Sequence, residues 1–232
     1  MEENKDVCQI CGGIGFVEYE KDGYRFMKPC ECKELKDAKE RLERSGISEE
    51  FQKKGFKNFN DRGMELLKKA KAMAIDYCKK FPEIRGTRYN SVLLQGQVGS
   101  GKTHLSMAIC NAIMTNHKTG VLYMPYREEI TKIKQCVRDA MNYDNAISRY
   151  KNVPVLMIDD LLKGKSSDAD VNILFEIINH RYIKNLPMII STEKTTDELL
   201  DFDEGTMSRV IEMARGHQIE IVGREYNYRL YG

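Results

Sequence analysis

The sequence lacks any apolar run long enough to cross a membrane, and its first residues lack the apolar stretch of a secretory signal peptide. Its mean hydropathy is -0.52, and charged residues make up 31% of its 232 residues. Internal repeats and low-complexity segments are also missing. We therefore expect a soluble cytoplasmic protein with a sizeable core and no membrane partner.

A large excess of charge of one sign is also missing, since the formal net charge is +2. This balance argues neither for nor against a nucleic-acid partner. The charge is unevenly distributed, because residues 33–90 hold sixteen Lys and Arg against ten Asp and Glu. Such a stretch is typical either of a solvated helix face or of a surface that contacts phosphates, and both interpretations stay open.

Strand and helix patterns alternate along most of the chain. Short apolar runs predict strands at 91–95, 121–124, 153–160 and 187–192. Helical patterns cover 33–45, 64–80, 127–150 and 168–185, with helix ends predicted at Gly46 and before Pro82 and a helix cap at Ser48. This alternation predicts an α/β fold with a parallel sheet and helices on both faces.

A glycine-rich loop follows the first of these strands and precedes a further helix. It fits G-x-x-x-x-G-K-[ST] without a gap. In such a loop the backbone N–H groups surround phosphates, the lysine reaches the β and γ oxygens, and the hydroxyl binds Mg²⁺. The loop consists of Gly96, Gln97, Val98, Gly99, Ser100, Gly101, Lys102 and Thr103. The sequence therefore predicts binding of a nucleoside triphosphate with Mg²⁺.

Polar residues near the ends of later elements predict the rest of this site. Asp159 ends an apolar strand and is predicted to hold Mg²⁺, and Asp160 stands where many such enzymes have a water-orienting glutamate. Aspartate is one methylene shorter than glutamate, so we expect slow hydrolysis. Ser191 and Thr192 are placed to sense the γ-phosphate or to position water. Arg209 is predicted to reach the γ-phosphate of a neighbouring subunit, with a surface ion pair as the alternative.

Four clustered cysteines predict a metal site, since disulfides are rare in the cytoplasm. Cys8-x-x-Cys11 and Cys30-x-Cys32 flank two short strand patterns that are joined by an Asp-Gly turn. A hairpin would bring these thiolates together as tetrahedral Zn²⁺ ligands, and a segment of about thirty residues needs such a metal to fold. Free or redox-active thiols are the alternative.

These motifs together resemble those of the DnaC/DnaI helicase loaders, which are AAA+ ATPases related to the initiator DnaA. The matching segments are residues 96–105, 155–160, 208–210 and 223–229. The resemblance implies an ATP-dependent homo-oligomer that delivers the replicative hexameric helicase onto single-stranded DNA. It also implies an amino-terminal region that binds the helicase.

The resemblance further implies roles for individual residues. The loop residues 96–103 and the adjoining His104 would bind ATP, with Thr103 and Asp159 on Mg²⁺. The catalytic residues would be Lys102, Asp160, Thr192 and Arg209. Many AAA+ proteins also carry a helical lid after the last strand, and we expect none here, because few residues follow the last strand pattern.

Three regions follow from these patterns: a zinc module at 1–32, a charged helical linker at 33–60 and an AAA+ ATPase domain at 61–232. Single-stranded DNA could contact a stretch between the second and third strands of the domain, where basic residues stand beside tyrosines. These residues are Tyr126, Arg127, Lys132, Lys134, Arg138, Tyr143, Arg149, Tyr150 and Lys151. An ordinary amphipathic helix explains them equally well. An IstB-like transposition ATPase and a nucleotide-dependent adaptor with little hydrolysis are the alternative functions.

Overall fold

The computed structural model describes residues 8–44 and 49–232, so the helix end predicted at Gly46 and the cap predicted at Ser48 lie outside the described residues. The strands are β1 (Phe16–Lys21), β2 (Tyr24–Pro29), β3 (Val92–Gly96), β4 (Val121–Pro125), β5 (Val155–Leu161), β6 (Met188–Thr192) and β7 (Gln218–Ile221). The α-helices are α1 (Glu31–Arg44), α2 (Glu49–Gln52), α3 (Glu65–Ile84), α4 (Lys102–His117), α5 (Tyr126–Cys136), α6 (Ala140–Asn152), α7 (Asp168–Lys184), α8 (Thr196–Met213) and α9 (Tyr228–Tyr231). Single 3-10 turns occur at Phe56–Asn58 and Arg224–Tyr226.

The larger sheet has five parallel strands in the order β4-β5-β6-β3-β7. Its central strands are buried on both faces, and successive residues enter separate cores. Leu93 packs with α5 to α8, whereas Val92 and Leu94 pack with α3 and α4. This three-layer arrangement confirms the predicted α/β fold, and no helical lid follows β7 in the described chain. Of the helices described, none is long and apolar enough to cross a lipid bilayer.

Strands β1 and β2 form a separate antiparallel hairpin. Asp22 and Gly23 form its turn with φ values of 53° and 78°, as a two-residue turn of mirror-image type requires. Helix α1 follows the hairpin and lies beside the edge strand β4 and helix α4. The predicted hairpin is thereby linked to the edge of the large sheet.

Helix α3 continues past Pro82 to Ile84, so the prediction that it stops before the proline is wrong. Proline has no N–H, which leaves the carbonyl of Cys78, four residues earlier, without its helical partner. His117, the last residue of α4, has its Nε2 atom 2.8 Å from that carbonyl oxygen. The imidazole thus satisfies the orphaned carbonyl, and the helix passes through the proline.

The stretch predicted as largely helical from Arg127 to Tyr150 is divided into α5 and α6. Asp139 ends the connection between them, because its carboxylate accepts a hydrogen bond of 3.1 Å from the backbone N–H of Asn142. An aspartate in this position caps a new helix rather than continuing the old one.

Candidate nucleotide and metal sites

The glycine-rich loop lies between β3 and α4, at the carboxyl edge of the parallel strands. Gly96, Gly99 and Gly101 have backbone φ values of 136°, 76° and 90°, which residues other than glycine rarely adopt. A Cβ atom at Gly99 would lie 2.2 Å from the side-chain oxygen of Asn227. The loop conformation and the close approach of a later segment both require glycine here.

Lys102 points into the loop rather than into solvent. Its ammonium donates hydrogen bonds of 2.6 Å and 2.7 Å to the carbonyl oxygens of Gly96 and Gln97. Its exposed fraction is 5%, and burial lowers its pKa. The cation is held where it can turn toward phosphate oxygens, since its present partners are neutral carbonyls.

Asp159 lies at the centre of a group of hydroxyls. Its carboxylate accepts hydrogen bonds from Thr103 at 2.9 Å, Ser191 at 2.5 Å and Tyr123 at 3.1 Å. Burial raises the pKa of this carboxyl, and the hydrogen bond from Ser191 partly offsets the rise. The adjoining Thr103 hydroxyl and Asp159 carboxylate are hard oxygen donors, so these residues fit Mg²⁺.

Asp160 lies beside a lysine and a second acid. The Lys163 ammonium is 2.6 Å from the carboxylate of Asp160 and 3.2 Å from that of Glu193, and all three residues line the cavity at the loop. Asp160 has a backbone φ of 55°, which is uncommon for a residue other than glycine. Sequence reasoning missed Lys163 and Glu193, because no motif includes them.

Thr192 does not lie at this cavity. Its hydroxyl donates a hydrogen bond of 2.7 Å to the carbonyl of Leu161 and accepts one of 3.1 Å from the N–H of Lys194, and the side chain is fully buried. Ser191 instead donates to Asp159 and accepts a hydrogen bond of 3.0 Å from the backbone N–H of Asp160. The geometry therefore assigns contact with the acids to Ser191 and a structural contact to Thr192.

A cavity of about 330 Å³ opens beside the loop. Residues from distant parts of the chain complete its lining: Lys54, Asn58, Phe59, Asn60, Arg62, Leu67, Tyr226, Tyr228 and Arg229. His104 also lines it, and its Nε2 atom lies 3.0 Å from the carbonyl oxygen of Gly55. The imidazole meets the Phe59 ring edge to face at 5.3 Å. The predicted His104 therefore lies at the site, although its present partner is the segment before α3.

Arg209 lies within α8 and does not line the cavity of its own chain. Its guanidinium lies 5.8 Å from the centre of the Phe175 ring and 5.5 Å from that of Tyr182. Its Nη1 atom also donates to the carbonyl of Gly205. Arg209 therefore does not contact the nucleotide cavity of its own chain. Its predicted contact with the γ-phosphate of a neighbouring subunit stays a prediction.

The four predicted cysteines form one cluster, and their sulfur atoms all lie within 4.8 Å of one another. Cys8 and Cys30 are 3.7 Å apart, and Cys11 and Cys32 are 3.4 Å apart, measured between sulfurs. Tetrahedral zinc with Zn–S bonds of about 2.3 Å places sulfurs about 3.8 Å apart, so the cluster fits Zn²⁺.

Backbone N–H groups support this cluster. The N–H of Gly15 donates a hydrogen bond of 3.3 Å to the sulfur of Cys11. This bond is the largest of several that together lower the pKa of the Cys11 thiol to about 6. A thiolate is the form that binds metal.

The basic residues between β4 and β5 are mostly paired within the chain. Lys132 and Arg149 both contact the buried Glu129, and Lys134 contacts Asp170 at 2.8 Å. Tyr126 and Tyr150 are buried, and Tyr143 donates its hydroxyl to Glu176. These tyrosines are not free to stack on bases, so the amphipathic-helix interpretation describes them better.

Comparison with known proteins gives the family. Residues 52–215 match the family described as the bacterial DnaA ATPase domain. Two Bacillus subtilis (strain 168) proteins are similar: YqaM is 38% identical over 88% of this chain and 67% of its own length. The phage-like element PBSX protein XkdC is 32% identical over 97% and 86%.

A solved structure of the DnaC helicase loader superposes with a TM-score of 0.66 and 20% identity. The superposition covers 75% of this chain and 99% of that one, and at this identity it shows the fold alone. Together with the loop, the paired aspartates and the strand order, the family match establishes that this chain belongs to the bacterial DnaA ATPase domain family of AAA+ proteins.

Proposed function

We propose that this protein is an ATP-controlled loader that delivers a replicative hexameric helicase onto single-stranded DNA. The observation that carries the proposal is the combination, in one chain, of a DnaA-type ATPase site with a separate cysteine hairpin. The DnaC helicase loader has the same fold, which is consistent with this assignment.

The proposed ATPase cycle assigns one task to each residue at the loop. Lys102 would bind the β and γ oxygens, Thr103 and Asp159 would hold Mg²⁺, and Asp160 would orient the attacking water. The bound Mg²⁺ would neutralise charge that develops on the phosphate oxygens. The Lys163 ammonium pairs with one carboxylate oxygen of Asp160 and offsets its negative charge, which weakens the carboxylate as an acceptor for the attacking water. We therefore expect slow hydrolysis that a partner or DNA accelerates.

Arg209 supports the proposal of an ATP-dependent homo-oligomer. Arg209 lies on α8, outside the nucleotide cavity of its own chain. The neighbouring helix α7 exposes the apolar side chains of Phe175 and Ile183. Exposed apolar side chains around an arginine suit a contact with a second copy. In that contact Arg209 would stabilise the γ-phosphate of the next subunit.

The cysteine hairpin is the proposed helicase-binding element. Its side chains include exposed apolar residues, with Ile14 75% exposed and Tyr24 71% exposed. A hairpin held by Zn²⁺ would present these residues on a rigid support.

Lys54, Asn58 and Phe59 line the nucleotide cavity, so we place the end of the predicted linker near residue 52, where the family match begins.

The proposed contact with single-stranded DNA moves to the turn between α5 and α6. Arg138 lies in this turn, whereas Arg127 lies at the opposite end of α5, and both are exposed and make no ion pair among the described residues. Met141 is 75% exposed beside the turn. The two arginines suit contact with phosphates. We expect Arg138→Ala to weaken salt-dependent DNA binding more than Lys132→Ala, whose lysine is already paired.

A nucleotide-dependent adaptor with little hydrolysis is the second candidate. The ion pair between Asp160 and Lys163 favours it, because the ammonium offsets the charge of the proposed water-orienting carboxylate. ATP turnover measured with and without single-stranded DNA separates the two functions. Stimulation by DNA supports the loader, and a turnover that stays near background supports the adaptor.

Capture of the replicative helicase by the full-length protein tests the proposal. We expect Cys11→Ser to abolish capture, and Cys136→Ser to retain it, because Cys136 lies outside the cysteine cluster. Failure of the unaltered protein to capture helicase, together with binding of a transposase and preference for duplex DNA, would instead support an IstB-like transposition ATPase.

A further inference from the structure

The segment after β7, residues 223–231, lies directly against the phosphate loop. The backbone N–H of Tyr228 donates a hydrogen bond of 2.8 Å to the carbonyl of Gly99. The backbone N–H of Gly223 donates one of 3.1 Å to the side-chain oxygen of Gln97. Asn227 occupies the space that a side chain at position 99 would need. Residues 223–231 therefore form part of the wall of the nucleotide site.

Arg62 holds this segment from the opposite side of the cavity. Its two terminal nitrogens donate hydrogen bonds to the carbonyls of Tyr231 at 3.3 Å and Glu225 at 3.0 Å. Its guanidinium also lies 5.9 Å from the centre of the Tyr228 ring. One side chain thus bridges the segment before α3 and both ends of the later segment.

Arg62 also faces the cavity itself. It lines the cavity with Phe59 and Tyr228, and its Nε atom is buried without a hydrogen-bond partner in the described structure. A buried donor without a partner is costly, so the hydrogen bonds of the two terminal nitrogens must offset that cost.

We propose that Arg62 is a positioning residue for the nucleotide site, and that it acts by holding residues 223–231 against the phosphate loop as the cover of the cavity. Because the same segment contacts Gly99 and lines the cavity, its docking and nucleotide binding stabilise each other, as linkage requires. This inference rests on the proposed nucleotide site.

Hydrogen exchange of the Tyr228 amide in the nucleotide-free full-length protein tests the docking directly. We expect Arg62→Ala to accelerate this exchange by about tenfold, since two hydrogen bonds from a charged group are lost. Arg62→Lys should give an intermediate rate, because one ammonium cannot reproduce a planar fork that reaches two carbonyls. Arg85→Ala is the matched control, since Arg85 is an exposed arginine at the end of α3.

Binding of AMPPCP with Mg²⁺ tests the consequence for the nucleotide. We expect Arg62→Ala to weaken binding by at least about fivefold, and AMPPCP to slow exchange at Tyr228 in the unaltered protein. Asn227→Ala, which loosens the same contact with Gly99 without touching Arg62, should show both effects if Arg62→Ala proves too unstable to study.

Two results would overturn the inference. Exchange at Tyr228 that is equal in Arg62→Ala and unaltered protein would show that Arg62 does not hold the segment. Faster exchange with unchanged AMPPCP affinity would show that the segment is not a cover. Failure of the unaltered protein to bind AMPPCP would overturn the nucleotide site itself, and the exchange rates without nucleotide would still decide the docking.

Discussion

Replacement of Asp159 by asparagine separates its proposed chemical role from its structural one. The carboxylate accepts hydrogen bonds from Thr103, Ser191 and Tyr123. An asparagine oxygen can still accept from Thr103 and Ser191, and its amide can donate to the Tyr123 oxygen. The variant therefore keeps three contacts and loses only the charge that is proposed to hold Mg²⁺.

The expected magnitudes follow from this count. Asp159→Ala leaves three hydroxyls without their acceptor, which at about 1 kcal/mol each costs about 3 kcal/mol, or about 6–12 °C in melting temperature. Asp159→Asn should stay within about 1 kcal/mol of the unaltered protein. Its Mg²⁺-dependent hydrolysis should fall by about 100-fold, since loss of the metal ligand removes about 3 kcal/mol of transition-state stabilisation.

The pH dependence of stability gives a second readout. Burial raises the pKa of Asp159 in the folded protein. Its charged form therefore costs stability above that folded pKa, and the cost disappears as the pH falls below it. We expect any stability advantage of Asp159→Asn in nucleotide-free protein to be largest at neutral pH and to shrink in acid.

Urea unfolding and phosphate release measure these quantities on the same protein samples. If Asp159→Asn is destabilised as much as Asp159→Ala, the three hydroxyls do not make the hydrogen bonds with Asp159 that we describe. If it hydrolyses ATP within about tenfold of the unaltered rate, Asp159 does not hold the catalytic Mg²⁺.

Three further predictions concern the metal and two buried contacts. Cys11→Ser should lower bound zinc, measured by elemental analysis, from one equivalent to below about 0.2; full zinc content would contradict the four-cysteine site. Arg181 is fully buried and donates to five backbone carbonyls, so Arg181→Met should cost about 3 kcal/mol in urea unfolding, and a loss under about 1 kcal/mol would contradict that role. His117→Ala should cost about 1–2 kcal/mol by orphaning the Cys78 carbonyl, and the double variant with Pro82→Ala should recover most of it; no recovery would refute the pairing.

Local sequence patterns predicted four of the five strands of the large sheet and missed β7 (Gln218–Ile221). Apolar runs such as 92–94 and 187–192 were recognisable because buried parallel strands are apolar on both faces. The glycine-rich loop was equally recognisable, since its conformation depends on residues that are adjacent in the chain. The α/β fold and the family resemblance were confirmed on this basis.

The walls of the nucleotide cavity could not be predicted in the same way. Arg62 and Glu193 reach the cavity only through tertiary packing, and no short motif contains them. Tyr228 belongs to the matching segment 223–229, but the resemblance did not predict that it lines the cavity. Periodicity also could not tell a stacking tyrosine from a core one, which is why Tyr126 and Tyr150 were proposed for DNA contact although both are buried. The segment 223–229 was identified only by its resemblance to the helicase loaders. Its contact with the phosphate loop could be seen only in the structure.

The most direct test of the central claim is helicase loading onto circular single-stranded DNA, measured with the full-length protein. We predict loading with ATP and none with the Lys102→Ala variant, which should retain its zinc and still capture the helicase. Loading that proceeds equally with Lys102→Ala, or without nucleotide, would contradict the account that ATP at this loop controls the protein.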